Sequence, residues 1–440
     1  MKPIGGILAA GLLWAGAAEA ATVTVAFEGV RSGEGNVLAQ LCNDPANFMK
    51  SCSTKQGLAK ATAGETVVTF EGVEPGRYAL SAFHDANGDF RPEVPPEGYA
   101  YGNDAPYPPS FDAAAFQVSG DVRIQVRMMY LGAGPAAGGS HGLPPRAGMT
   151  RIDLRQDGLY GELYLPAGAK GRLPAIVAFG GSEGGLDTIS GMAADFASQG
   201  YATLALAYWR EQGLPQTLEQ IPLEYFDRAV AWLKARPEVD PKAIGAIGWS
   251  RGSEAVLLLG SRNPDVRAVV AVAPSGIVWQ GLNNSNATLS PSAWTAGGKP
   301  LPFAHPVGTL YRPDSMRDMF VAGLKEADQH PETEIPVEKI GGPVLLISGG
   351  DDHLWPSQQM AQRIVIRLKA KGFRHEVAHL TYDGAGHLVF VGAPDGAMAR
   401  AMGQPSPMLG GSAEADSKAW ADDWPKVLAF YGKALRGGVR

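Results

Sequence analysis

Cysteine is scarce in this chain, with two among 440 residues. That excludes zinc clusters and disulfide-rich scaffolds. Charge is sparse as well: Asp, Glu, Lys and Arg make up 19%, with a net charge of -6. No basic stripe is present of the kind a nucleic-acid partner requires. Beyond the first twenty residues, no apolar run is long enough to span a bilayer. The 45% hydrophobic content rules out a disordered chain and permits a sizeable core, divided among roughly two or three domains. Glycine (57) and proline (33) are plentiful. They follow no collagen period, so they read as many tight turns and loops.

The N-terminus reads as an address. Lys2 is followed by an uncharged apolar run from Ile4 to Ala18, and Ala18-Glu19-Ala20 fits a small-x-small cleavage site. Residues 1–20 are therefore expected to be a secretory signal peptide. The mature protein is expected to be exported, periplasmic or secreted, with no transmembrane span.

Residues 21–131 carry alternating or apolar runs such as "TVTVAFEGV", "ETVVTFEGV" and "DVRIQVRMMYL", separated by turn residues. That pattern predicts a small all-β sandwich. Cys42 and Cys52 both fall in it, and in an exported protein they are expected to pair. "HDANGDF" places Asp85, Asn87 and Asp89 in calcium-loop alternation. Pro96 stands where an EF-hand needs its glutamate, so a solvated turn is the preferred reading. "GAGPAAGGSHGLPP", within 132–147, reads as an interdomain linker.

From 148 to 440 the pattern changes. "LPAIVAFGG", "YATLALAYW", "AIGAIGWS", "VRAVVAVAP" and "GPVLLISGGDD" are short, nearly continuous apolar runs with helical stretches between them. Parallel strands buried on both faces look like this, and the alternation predicts a doubly wound α/β domain. Its ligands should lie beyond the carboxyl ends of the strands.

G-x-S-x-G occurs three times, so context decides. The match at 138–142 lies in the linker. The match at 180–184 follows a strand but makes a poor helix start. Gly248-Trp249-Ser250-Arg251-Gly252 alone has a strand before it and a helix former after it, the setting of a nucleophile elbow. Ser250 is therefore the candidate nucleophile, and the Arg251 N–H points to the oxyanion. The loop "AFGGSEGG" should supply the second donor, from the N–H of Gly181, with Ser182 as the fallback.

A serine hydroxyl needs a base. In this architecture the order is Ser, acid, His. Asp351 and Asp352 compete at a strand end, and the spacing of four residues before Pro356 selects Asp352. Of eight histidines, His387 in the Gly-rich loop "YDGAGHLVF" is the last and best placed. His353 is expected to line the pocket, and His375 and His379 to be structural. Nothing in these motifs calls for a metal or cofactor.

"FGGSEGGL", "GYATLALAYW", "GLPQTLEQIPLEYFDRAVAWLKARPEV", "GWSRGSE", "IPVEK", "GGDDHLWPS" and "AGHLVF" together resemble the C-terminal domain of acyl-CoA thioesterases and bile acid-CoA:amino acid N-acyltransferase, over roughly 148–436. The resemblance implies an α/β-hydrolase fold, with Ser250 as nucleophile, Asp352 as acid and His387 as base. Ser rather than Cys at the elbow resembles the thioesterase branch, which implies hydrolysis. "GVEPGRYALSAFHDANGD" resembles a bacterial family of exported, prealbumin-like β-domains without an assigned activity, which implies a fold alone. An exported protein meets little coenzyme A, so the leaving group stays open between thioester and ester.

Two other readings stand beside a thioesterase-like serine hydrolase. One is an exported carboxylesterase of the dienelactone hydrolase type. The other is a binding or envelope-associated protein on a disused hydrolase scaffold. The irregular stretch of about 281–334 is expected to form a lid or pocket wall. Trp249, Trp279, Trp294 and Trp355 either line an apolar acyl pocket or pack as ordinary core.

Overall fold

The computed structural model describes residues 20–49, 52, 54–86, 88, 98–105, 109–130, 149–166, 168–283, 290–307, 316–394 and 408–437. The expected signal peptide up to residue 19, the linker, and Asn87 and Asp89 of the calcium-like turn lie outside them. Asp85 is described; its Oδ1 accepts the Gly88 N–H at 2.8 Å, the bond of a tight turn. Among the described residues no cluster of metal-ligating side chains occurs, and no helix is long and apolar enough to cross a membrane.

The described residues fall into two compact units, divided after Met129. The first holds two sheets. Ala21–Val30 lies between Gly64–Val73, antiparallel, and Val122–Arg127, parallel. Asn36–Cys42 and Gly76–Asp85 form the centre of the second sheet. Val23, Val25 and Phe27 point inward at alternate positions, the pleat the sequence pattern requires. The stretch "AAAFQV" divides between two conformations. Phe111–Ala114 forms one helical turn, capped by the Ser110 hydroxyl, before the strand Ala115–Val118 begins. A disulfide joins Cys42 to Cys52.

The second unit is built on eight strands: β1 Met149–Gln156, β2 Leu159–Pro166, β3 Leu173–Phe179, β4 Ala202–Ala207, β5 Val239–Trp249, β6 Val266–Val272, β7 Val344–Gly349 and β8 Val377–Tyr382. They run in the order β1-β2-β4-β3-β5-β6-β7-β8. β1 and β2 add an antiparallel edge, and the other pairings are parallel. The sequence pattern did not assign the β1–β2 hairpin.

Alternate residues of β3 feed two cores. Ala175, Val177 and Phe179 pack on one face, and Ile176 and Ala178 on the other. Both faces are covered, so the strand carries no polar alternation. Among the described residues of this unit the α-helices are α1 Asp187–Ser198, α2 Leu223–Lys234, α3 Arg251–Arg262, α4 Met316–Ala327, α5 Ser357–Ala370 and α6 Ala413–Leu435. The stretch expected to be irregular thus contains a helix, α4, and the short strand Trp294–Ala296. This mostly parallel sheet with helices on both faces is an α/β-hydrolase fold.

Strand order turns about β3, with β4 on one side and β5 on the other. At such a switch point the following loops part and leave a crevice beyond the strand ends. The loops after β3 and β5 carry Gly181 and Ser250.

Candidate active site

Ser250 occupies the turn between β5 and α3 with φ 56° and ψ -122°, a backbone region L-residues seldom adopt. Two glycines make the turn sterically feasible. A Cβ on Gly248 would lie 2.0 Å from the Gly252 carbonyl oxygen, and one on Gly252 would lie 2.2 Å from that of Gly180. The strain turns the Ser250 side chain out of the strand path at the end of the sheet, as an elbow requires.

Three side chains separated widely in sequence meet there. His387 Nε2 lies 2.9 Å from Ser250 Oγ. His387 Nδ1 lies 2.9 Å from Asp352 Oδ2. All three residues are buried. Asp352 Oδ1 accepts the N–H groups of Leu354 and Trp355 at 3.0 and 3.2 Å, which fixes the carboxylate on its loop after β7. With Nδ1–H donated to Asp352, Nε2 carries the lone pair facing the hydroxyl.

Asp351 is engaged elsewhere. Its Oδ2 accepts the Gly411 N–H at 3.0 Å, and its Oδ1 lies 3.0 Å from His353 Nε2. His353 is about half exposed. His379 lies 2.7 Å from Ser348 Oγ, away from the other three groups.

The loop after β3 is held from the end of β4. The Tyr208 hydroxyl donates to the Gly180 carbonyl at 2.9 Å, and Trp209 Nε1–H donates to that of Gly181 at 3.3 Å. In a trans peptide the N–H opposes the C=O. Pinning these two carbonyls therefore aims the N–H groups of Gly181 and Ser182 the other way. A Cβ on Gly181 would lie 3.0 Å from Ser250 Cβ, so this backbone borders Ser250. The Gly181 N–H does not stand free for an acyl oxygen: it donates to Glu183 Oε1 at 2.8 Å. The glycine count of the loop drew attention to its backbone and away from this acid. Burial raises the Glu183 carboxyl above its ordinary range, opposed by the Gly181 hydrogen bond and by the charges of His387 and Arg210.

Arg251 opens α3, where the first N–H groups have no intrahelical acceptor. Its buried guanidinium pairs with Glu254 at 2.7 Å and donates to the Gln280 carbonyl at 2.7 Å. Glu254 Oε2 accepts from the Trp279 N–H and from Trp294 Nε1 at 3.2 and 2.9 Å. Burial pushes the Glu254 carboxyl up, and Arg251 opposes it. This pair, which sequence reasoning missed, ties α3 to the segment after β6. The tryptophans divide accordingly. Trp249 and Trp355 flank the His387 ring at 5.4 and 5.8 Å. Trp294 packs on Tyr208 and Phe226, and Trp279 on Phe320.

Comparison with known proteins bears on this arrangement. Residues 221–437 match the family described as "BAAT / Acyl-CoA thioester hydrolase C terminal". Residues 25–125 match an "Uncharacterized protein conserved in bacteria (DUF2141)". The chain is similar to human acyl-coenzyme A thioesterase 1, at 32% identity over 67% of each chain. It is also similar to mouse peroxisomal succinyl-coenzyme A thioesterase, at 31% identity over 66% of each, and to mouse acyl-coenzyme A amino acid N-acyltransferase 1, at 32% over 66% of each. The chain thus spans about two thirds of the length of these relatives.

Proposed function

Because the chain belongs to the family of acyl-CoA thioester hydrolases and bile acid-CoA:amino acid N-acyltransferases, we propose that it is a serine hydrolase that cleaves a thioester or ester through an acyl-enzyme on Ser250. The observation that carries this reading is the 2.9 Å approach of His387 Nε2 to Ser250 Oγ, with Asp352 2.9 Å behind the ring.

Ser250 Oγ attacks the acyl carbon while His387 takes its proton. Negative charge collects on the acyl oxygen, which the N–H of Arg251 stabilises together with one from the loop after β3. His387 then gives its proton to the departing thiolate or alkoxide as the acyl bond breaks. Water attacks the acyl-enzyme, losing its proton to His387, which returns that proton to Ser250 Oγ as the bond from Oγ to the acyl carbon breaks and the acid leaves. Asp352 holds the imidazole in the tautomer needed and stabilises its cation.

Hydrolysis is favoured over transfer to an amine by the serine at the elbow. Export, followed by action outside the cytoplasm on an ester or on a thioester other than a cytosolic acyl-CoA, fits the N-terminal segment. Fractionation of an expressing cell tests that half of the proposal, and retention of an uncleaved chain in the cytoplasm would overturn it.

A fluorophosphonate probe tests the chemistry. Labelling of wild type and none of Ser250→Ala is expected; absent or equal labelling would sink the enzyme reading. Acyl-CoA, p-nitrophenyl ester and lactone substrates then define the leaving group. Ester cleavage with no thioester cleavage would select the dienelactone hydrolase-type alternative.

A further inference from the structure

The Gly181 N–H, the donor expected to receive the acyl oxygen, is already occupied. Glu183 Oε1 accepts it at 2.8 Å. The carboxylate lies directly over the glycine pair: a Cβ on Gly180 would fall 2.4 Å from Oε1, and one on Gly181 would fall 2.9 Å from Oε2. That second Cβ would also fall 3.0 Å from the Cβ of Ser250. The carboxylate and Ser250 therefore both border the Gly181 backbone. A carboxyl oxygen presents there what the oxygen of a tetrahedral intermediate presents, an acceptor for a backbone donor.

We propose that Glu183 is a built-in occupant of the oxyanion site, a self-inhibiting contact that each acyl substrate displaces before Ser250 reacts. The inference rests on Ser250 being the nucleophile.

The local chain suits such a movement. The Glu183 carbonyl accepts from Arg210 Nη1 at 2.9 Å, and Tyr208 and Trp209 hold the carbonyls of Gly180 and Gly181. The backbone stays fixed while the Glu183 side chain rotates. Gly184 and Gly185 follow at φ 66° and 65°, a turn that residues bearing a Cβ rarely adopt. The Glu183 carboxyl accepts the Gly181 N–H at 2.8 Å and the N–H of Glu183 itself, and it feels the charges of His387 and Arg210; the first of these holds is the one a substrate would replace.

The test compares wild type with Glu183→Ala, Glu183→Asp and Glu183→Gln. It measures the second-order rate of Ser250 labelling by a fluorophosphonate, and kcat and KM on p-nitrophenyl butyrate. Removal of a charge-assisted hydrogen bond that competes with the substrate should raise labelling and kcat/KM about tenfold in Glu183→Ala. Glu183→Asp keeps the charge but is one methylene too short to reach the Gly181 N–H, so it should rise similarly. Glu183→Gln keeps a weaker acceptor and should rise less.

Aspartate separates occupancy from charge, and it serves if the alanine variant fails to fold. Unchanged or lower rates in folded Ala and Asp variants would overturn the proposal while leaving the hydrolase reading intact. Failure of wild type and of every variant to label at Ser250 would instead overturn that reading.

Discussion

The indole N–H of Trp249 donates to the main-chain carbonyl of His387 at 3.0 Å. The residue just before Ser250 thereby grips the loop that carries His387, across 138 positions of sequence. The same ring stands 5.4 Å from the imidazole. Trp249→Phe would keep the ring contact and lose the donor. The expected loss is about three- to tenfold in kcat, with roughly 1 kcal/mol of stability. Steady-state kinetics beside a denaturant titration check this; a fall in stability without any fall in kcat would show that the bond does not position the base.

The two neighbouring aspartates should behave very differently. Asp352→Asn removes the acceptor that orients His387, and should lower kcat by about 10³-fold or more with KM little changed. Asp351 serves His353 and the Gly411 N–H, so Asp351→Asn should stay within about threefold of wild type, because its contacts are partly exposed. Comparable losses in both would return the assignment of the acid to an open question.

The elbow glycines cannot accept a methyl group. A Cβ on Gly248 meets the Gly252 carbonyl at 2.0 Å, and one on Gly252 meets the Gly180 carbonyl at 2.2 Å. Both contacts are with backbone, which has no rotamer to yield. Gly248→Ala and Gly252→Ala should each cost about 3 kcal/mol or more, or yield insoluble protein. Thermal melting or soluble yield would reveal a tolerant turn if this packing were wrong.

Asp423 on α6 is fully buried, and neither carboxyl oxygen has a hydrogen-bond partner of normal geometry. Burial, helped by the charge of Asp422, raises its pKa from 3.8 to about 9. The folded state therefore keeps a proton that the unfolded chain has released, and stability should fall as pH rises from about 4 to about 9. Asp423→Asn removes that slope. Its melting temperature should exceed that of wild type by more at pH 8 than at pH 5; equal differences at both would count against a neutral Asp423.

The parts of the site legible in sequence were those where composition and geometry coincide. β3, β5 and β7 are buried on both faces and so read as unbroken apolar runs, and the groups just after them are the ones the sheet brings together. His387 followed from chain order and from the glycines around it. The β1–β2 hairpin was hidden because an edge pair mixes polar and apolar positions. The middle of α6 contains Pro425, which reads as a stop. Glu183 was missed for a different reason: a charged residue inside a glycine-rich turn reads as solvated, and only coordinates show it folded back over two residues. Arg251 and Glu254 form a pair only once the segment after β6 encloses them.

Tyr208 and Trp209 carry one further implication. They fix two peptide planes from the end of a neighbouring strand, so the orientation of those dipoles is settled when the chain folds and not when a ligand arrives. An engineer seeking new acyl specificity can therefore redesign the more distant walls and leave the polarity of the reaction centre as it stands.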